Sequence, residues 1–200
     1  LVADRGKGIG HIDLRTHQVS FPYPDEGVSS PCGVAISPDA SFALFTNSHS
    51  TINNIGRINL RTNHITFHYN DTGLNYPYGI AISPDSRHAV VSNEEGNNIA
   101  LIDLQTDEVS FPFPDTGFNE PRGVAFSPNG ALVLVANREG NNVACIDFHS
   151  SEVTFLGGFH EPVGVSVSRD GTHALVSNGD DRIARLALPR HPNLLGRASI

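Results

Sequence analysis

The sequence predicts an all-β fold, a β-propeller of four-stranded antiparallel blades, and two observations lead to it. First, a unit of about 44 residues recurs along the chain. Second, each unit divides into four short segments, rich in β-branched and aromatic residues and separated by turn-forming residues. Both faces of such a sheet are apolar, so successive sheets must stack on one another to bury them.

The most constant segment of the unit reads Pro-x-Gly, three mostly apolar residues, then Ser-Pro-Asp or a close variant. Its copies begin at Pro31, Pro77, Pro121 and Pro162. We designate it strand A, and its Ser-Pro-Asp end predicts a turn because proline presets φ and aspartate bonds the nearby backbone. Strands B (Val-Ala-Asn type), C (Ile-Asp-Leu type) and D (Val-Ser-Phe type) follow after short loops, which indicates an antiparallel meander.

The given sequence begins within one repeat, at strand B, and ends within another, after strand C. The segments read B-C-D, then three sets of A-B-C-D, then A-B-C, which is about 4.5 to 5 blades. Propeller repeats are predicted over 1–188, in blade segments 1–30, 31–76, 77–120, 121–161 and 162–188, with a tail or linker over 189–200. We expect a part of a larger ring; the alternatives are completion by another chain and an unusual five-blade domain.

The repeat resembles a known family. Val-Ala-Asn, Gly-Asn-Asn-Val and Ile-Asp-Leu, followed by Pro-x-Gly-Val-Ala-x-Ser-Pro-Asp/Asn, are similar to the YVTN-type β-propeller repeat and to the related lactonase-type propellers. The resemblance covers about residues 1–188. It implies a binding or scaffolding platform, and an extracytoplasmic location, periplasmic or secreted.

The composition excludes several classes of partner. The net charge is −8, and the sequence has no basic run that could follow a phosphate backbone, so no nucleic acid is expected as a partner. Membrane insertion is not expected either, because no apolar run approaches the roughly 18 residues that a spanning helix needs. The two cysteines, Cys32 and Cys145, occupy non-equivalent positions of the repeat and are expected to be free and packed.

Candidate ligand-binding residues lie at the ends of the strands. The B–C and D–A loops of an antiparallel blade share one face, and rigid sheets carrying variable loops are typical of binding surfaces. In strand A the residue between Pro and Gly varies inside a constant frame and begins the innermost strand: Cys32, Tyr78, Arg122 and Val163. The B–C loops add a second set of candidates: His49, Glu94, Glu95, Arg138 and Glu139.

A polar residue ends every strand B: Asp4, Asn47, Asn93, Asn137 and Asn178. Because the residue recurs in every copy, we interpret its side chain as a cap of the B–C turn. The alternative is a calcium-binding mouth, since Asp and Asn oxygens suit hard cations. No cofactor is expected, with calcium the alternative, because mostly neutral asparagines supply little charge.

Two classes of function fit the sequence. The first is a non-catalytic propeller that recognises a protein, peptide or glycan on the B–C and D–A loop face. The second is an enzyme of the lactonase or lyase type with its site at the mouth of the central channel. The first is favoured because the sequence shows no nucleophile elbow, phosphate loop or paired metal-ligand motif.

Overall fold

The structure, a computed structural model, describes residues 1–23, 27–49, 52–70, 72–113 and 117–188. The described residues form eighteen strands and no helix. The first sheet holds β1 (Val2–Asp4), β2 (Gly8–Ile12) and β3 (Val19–Ser20); the second holds β4 (Pro31–Ile36), β5 (Phe42–His49), β6 (Ile52–Asn59) and β7 (Ile65–His68). The third sheet holds β8 (Pro77–Ile82), β9 (His88–Asn93), β10 (Asn98–Asp103) and β11 (Glu108–Ser110). The fourth holds β12 (Pro121–Phe126), β13 (Leu132–Asn137), β14 (Asn142–Asp147) and β15 (Val153–Leu156), and the fifth holds β16 (Gly164–Val167), β17 (His173–Ser177) and β18 (Ile183–Ala187).

The five sheets are antiparallel meanders arranged as the blades of a propeller, which confirms the predicted fold class. Strand A lies nearest the centre, because β4, β8, β12 and β16 contact one another in sequence. Among the described strands, no contact of similar extent joins β16 to β1. The predicted tail over 189–200 lies outside the described residues. In the part of the chain that the structure describes, no helix is long and apolar enough to cross a membrane.

The hydrophobic core lies between the sheets. One cluster combines Val90 and Ile99 of the third sheet with Val133, Val135 and Ile146 of the fourth, and these side chains are fully buried. Every residue of β13 is buried, so both faces of this strand are covered. Two-sided burial explains why the strands read as continuous apolar runs rather than as alternating patterns.

The fifth sheet has one covered face and one exposed face. Leu175 and Ile183 are exposed, whereas Leu134 and Val143, which hold the equivalent places in the fourth sheet, are buried against the fifth. The exposed side chains are therefore of the kind that a following blade covers elsewhere in the molecule.

The innermost strands approach one another at the glycine of strand A. A Cβ atom on Gly79 would lie 2.2 Å from the carbonyl oxygen of Arg122 in the next sheet. The Gly79 N–H donates to the Ser92 hydroxyl (2.7 Å), which in turn donates to the same Arg122 carbonyl. Glycine and a strand-B hydroxyl together thus join one blade to the next.

The second sheet departs from the predicted pattern. Residues 47–50 were expected to be a loop, but β5 continues to His49 and pairs Asn47, Ser48 and His49 with Asn54, Asn53 and Ile52. Ser50 lies outside the described residues. Two more residues separate Asn47 from Asn54 than separate Asn93 from Asn98 in the third sheet. The insertion extends the ladder, which is why the loop prediction was wrong here.

Aspartates hold the turns between strands A and B and between strands C and D. Asp39 accepts from the Ser37 and Ser41 hydroxyls, and Asp103 accepts from the backbone N–H groups of Gln105 and Thr106. Such hydrogen bonds stabilise the ionised form. They lower the pKa of six turn aspartates: Asp13, Asp39, Asp85, Asp103, Asp147 and Asp170, the last to about 2.

We expect stability to fall on acidification because of these turns. A group whose pKa is lower in the folded state contributes stability that is present above its unfolded pKa and is lost as the pH falls through its folded pKa. The melting temperature should therefore be steady near neutrality and decline from about pH 4 downward. Asp170→Asn, which copies the Asn129 turn of the fourth sheet, should flatten part of this decline in thermal melts taken across pH. An equal decline in the variant would contradict the assignment.

Candidate functional site

Three sets of repeat-equivalent residues lie together on the face that carries the B–C and D–A loops. One set precedes the proline of strand A: Ser30, Tyr76, Glu120 and Glu161. A second follows that proline: Cys32, Tyr78, Arg122 and Val163. The third follows the polar residue at the end of strand B: Arg5, Ser48, Glu94, Arg138 and Gly179. We call the surface formed by these residues the mouth.

Buried asparagines hold the D–A loops of the mouth in place. Asn137 accepts from the backbone N–H of Asn119 (2.7 Å) and donates to the Gly117 carbonyl (2.9 Å) and to the Asn142 side chain (2.9 Å). Asn47 and Asn93 make the same three kinds of bond, and all three asparagines are fully buried.

The interpretation of this ring as caps of the B–C turn describes Asp4 fully and three asparagines in part. Asp4 accepts from the backbone N–H groups of Gly6 and Lys7 within its own turn, at 2.9 Å each. The amides of Asn47, Asn93 and Asn137 each donate one hydrogen bond across the B–C turn, and their second N–H and their oxygen bond the D–A loop. These side chains fix the position of the D–A loops at the mouth.

The residue before each strand-A proline has a left-handed backbone. The φ angles are 48° at Ser30, 54° at Tyr76, 48° at Glu120 and 42° at Glu161. Glu120 donates its backbone N–H to Asn97 of the preceding B–C loop, and Glu161 donates to Asn141 in the same way. A left-handed conformation is sparsely populated for such residues and persists only where the surroundings impose it. The neighbouring blade thus positions both glutamates.

An aromatic and cationic cluster joins three sheets at the mouth. The guanidinium carbon of Arg5 lies 5.8 Å from the centre of the Tyr78 ring, and that of Arg122 lies 5.1 Å from it. The second guanidinium nitrogen of Arg5 also donates to the Cys32 sulfur at 3.1 Å, a bond that raises the pKa of Arg5. Both guanidiniums are within the range of a cation–π interaction with the same ring.

Glu94 holds Arg122 beside that ring. Its Oε1 accepts from Nε (2.8 Å) and from the second terminal nitrogen (2.6 Å) of Arg122. The Glu94 side chain is 11% exposed and that of Arg122 is 22% exposed. Charge-assisted hydrogen bonds of this kind fix the geometry of a guanidinium.

Ion pairs continue from Arg122 toward the fifth sheet. Arg138 lies 2.5 Å from Glu120, 3.0 Å from Glu139 and 3.4 Å from Glu161. The bond to Glu120 is the main cause of the raised pKa of Arg138. These side chains are more exposed, so we expect their pairs to orient the surface more than to stabilise the fold.

The structure brings some of the predicted residues together and leaves others apart. Cys32, Tyr78, Arg122, Glu94, Arg138 and Glu139 take part in the contacts above. Val163 is half-buried and contributes its backbone, since its carbonyl accepts from Gly123 at 2.8 Å. Glu95 is exposed in its turn, and His49 is exposed at the end of β5.

Sequence reasoning missed Arg5, Glu120 and Glu161 as members of the site. Their positions in the repeat could have identified them. Glu120 and Glu161 precede the strand-A proline, and Arg5 follows the polar residue that ends strand B. Only the tertiary contacts, however, show that Arg5 of the first sheet reaches Tyr78 of the third.

Neither cysteine forms a disulfide. Cys145 is buried between the fourth and fifth sheets, and burial raises the pKa of its thiol to about 12. Cys32 is half-buried at the mouth, so the expectation that it would be packed is met only in part. Within the described residues, no three His, Cys, Asp or Glu side chains are grouped to hold a metal ion.

Comparison with known proteins identifies the architecture. A family model described as lactonase, 7-bladed beta-propeller, matches residues 40–168. No curated protein matches the chain.

Two solved structures share the fold. A functionally unknown protein from Desulfotomaculum acetoxidans DSM 771 aligns over 92% of this chain and 59% of its own, at 20% identity and a TM-score of 0.72. Hydrazine synthase from Kuenenia stuttgartiensis aligns over 92% of this chain and 60% of its own, at 21% identity and a TM-score of 0.65. The chain therefore spans about three fifths of the length of each.

Proposed function

The chain belongs to the lactonase, seven-bladed β-propeller family, and from this premise we propose that it is a non-catalytic binding propeller. Its ligand is a protein, peptide or glycan, and it binds at the mouth. The observation that carries the proposal is the convergence of Arg5, Tyr78 and Arg122 from three sheets onto one surface. Aromatic and arginine side chains are those most enriched where binding energy concentrates.

The chemistry of the cluster favours a ligand with acidic groups. A guanidinium recognises a carboxylate through paired hydrogen bonds, and a tyrosine ring offers an apolar face to a sugar or a side chain. Arg122 is already held by the Glu94 carboxylate, whereas Arg5 is exposed and its hydrogen bond goes to the Cys32 sulfur. We therefore assign the first contact with an incoming carboxylate to Arg5.

Peptide and glycan arrays that include acidic peptides and uronic-acid glycans would test this proposal. Tyr78→Ala and Arg5→Ala should each weaken binding to the selected ligands by about tenfold, because truncating an aromatic or arginine side chain where binding energy concentrates costs more than about 1 kcal/mol. Arg15→Ala is the matched control, because Arg15 lies in a C–D turn at the other end of the strands. Equal binding by all four proteins, or no ligand on either array, would refute the proposal.

Catalysis at the same mouth is the second candidate, and the family match favours it. Hydrolysis of a lactone needs a group that activates water and a positive charge near the developing oxyanion. Glu94 and Arg122 form the least exposed carboxylate–guanidinium pair of the mouth and are our candidates for these two roles. If simple γ- and δ-lactones are hydrolysed in a pH-stat assay and Glu94→Gln abolishes the activity, the chain is an enzyme.

The exposed face of the fifth sheet is a second surface for a partner. We propose that another propeller blade, from a longer chain or from another chain, covers Leu175 and Ile183. Ser177 supports this, because its hydroxyl accepts from the Gly164 N–H as Ser92 accepts from Gly79. In the third sheet the same hydroxyl donates onward to the next blade.

A further inference from the structure

A small pocket of about 290 Å³ lies at the edge of the second sheet, away from the mouth. We call it the edge pocket, and its lining residues are Ser41, Phe42, Arg57, Asn59, His64 and Thr66. Arg57 pairs with Thr66 across β6 and β7, and Asn59 lies two residues beyond Arg57. Side chains two residues apart on a strand share a face, so Arg57 and Asn59 point the same way.

Three positions of this pocket differ from the equivalent positions in the first, third and fourth sheets. Where Arg57 stands, these sheets have His11, Leu101 and Cys145, whereas the fifth sheet also has an arginine, Arg185. Where Asn59 stands, they have Asp13, Asp103 and Asp147. Where His64 stands, they have Gln18, Glu108 and Glu152. The third and fourth sheets thus carry two carboxylates each at these places, and the second sheet carries none. All three differences from those two sheets make the second sheet more positive, in a chain whose net charge is −8.

Local contacts hold the donors of the edge pocket in place. The guanidinium carbon of Arg57 lies 4.1 Å from the centre of the buried Phe42 ring, a cation–π distance that holds the guanidinium against the floor of the pocket. The Asn59 side-chain oxygen accepts from the backbone N–H groups of Arg61 (3.0 Å) and Thr62 (3.1 Å). Its amide NH₂ is therefore the group left to donate into the pocket.

One carboxylate among the described residues hydrogen-bonds to a lining side chain. The Ser41 hydroxyl donates to Asp39 at 2.9 Å, and Asp39 also accepts from the Ser37 hydroxyl and the Ser41 backbone N–H. This carboxylate is thus held within its turn. No ion pair is formed by Arg57 among the described residues.

We propose that the edge pocket binds a tetrahedral oxyanion, phosphate or sulfate, either free or carried on a larger molecule. Arg57 supplies positive charge, and the Asn59 amide and a ring nitrogen of His64 are available for further hydrogen bonds. Guanidinium binds such oxyanions through paired N–H donors, and no lining residue of the edge pocket is a carboxylate that would compete for them.

Two-dimensional ¹H–¹⁵N NMR titration of the chain with potassium phosphate, against potassium chloride at equal ionic strength, tests the proposal. Saturable shifts are expected at the Asn59 side-chain NH₂, the Arg57 Nε–H and the backbone amides of residues 64–66. Parallel titrations with sulfate and with O-phospho-L-serine distinguish the source. Tighter binding of phosphoserine indicates a group carried on a larger molecule, and equal binding indicates the free anion.

Variants taken from the other sheets separate binding from folding. Asn59→Asp keeps both backbone hydrogen bonds of its turn, as Asp103 does in the third sheet, but adds a negative charge to the pocket. His64→Glu copies Glu108. Each should weaken phosphate binding at least about tenfold, the loss expected for one hydrogen bond to a charged group. Arg61→Ala, an exposed arginine outside the pocket, should bind as the parent does. Non-saturable shifts, or unchanged binding in Asn59→Asp and His64→Glu, would overturn the proposal.

Discussion

Gly79→Ala is expected to destabilise the protein on the order of 3 kcal/mol, at the upper end of what overpacking costs. The added Cβ would lie 2.2 Å from the Arg122 carbonyl oxygen and 3.1 Å from the Ser92 hydroxyl. The first neighbour is backbone of β12, the innermost strand of the next sheet, and cannot turn aside as a side chain could. The third and fourth sheets must therefore separate at the centre of the propeller, which breaks the bond from Ser92 to Arg122. Urea denaturation followed by circular dichroism measures the change.

Gly157→Ala is the matched control for this substitution. Gly157 is exposed, and a Cβ there would meet nothing within 4 Å. Stability should change by less than about 1 kcal/mol, because only the entropy of the unfolded chain is affected. If both variants unfolded at the same urea concentration, the close approach at Gly79 would have no energetic importance.

Asn137→Ala should cost about 3–4 kcal/mol, since three groups lose their partner in a buried place. The Asn119 N–H, the Gly117 carbonyl and the Asn142 side-chain oxygen each form a hydrogen bond with this one amide. Asn137 is 0% exposed, so water cannot hydrogen-bond to these three groups unless the D–A loop opens. Thermal and urea denaturation report the loss, and hydrogen exchange should show faster opening of the D–A loop.

Asn178→Ala tests whether the loss of stability in Asn137→Ala comes from the three hydrogen bonds or from replacing the last residue of any strand B. Asn178 is half-buried, and its side-chain oxygen accepts one long hydrogen bond, from the His160 N–H at 3.4 Å. The loss should stay below about 1 kcal/mol. A comparable loss in both variants would mean that the asparagine contributes through strand B itself and not through the loop it holds.

Much of the candidate site could be predicted from variation inside a constant repeat. Tyr78 and Arg122 were found because the residue between Pro and Gly changes while its frame does not. Arg5 was missed because the Tyr78 ring that it contacts lies two sheets away, and the local sequence around Arg5 does not indicate that the two residues are close in space. His49 was assigned to a loop because the two inserted residues of the second sheet were not recognised as additional ladder pairs.

The sequence by itself determined the strands, their order and their stacking. Short apolar segments with turn formers at regular spacing leave few alternatives, and two apolar faces per sheet require neighbours on both sides. Only the tertiary structure decided what the polar residues do. Asn137 is free in the sequence to bond only within its own turn, as Asp4 does, and the fold shows that it also bonds the preceding D–A loop. The physical reason is that a hydrogen bond depends on which donors and acceptors lie within about 3 Å, and stacking of the sheets sets those distances.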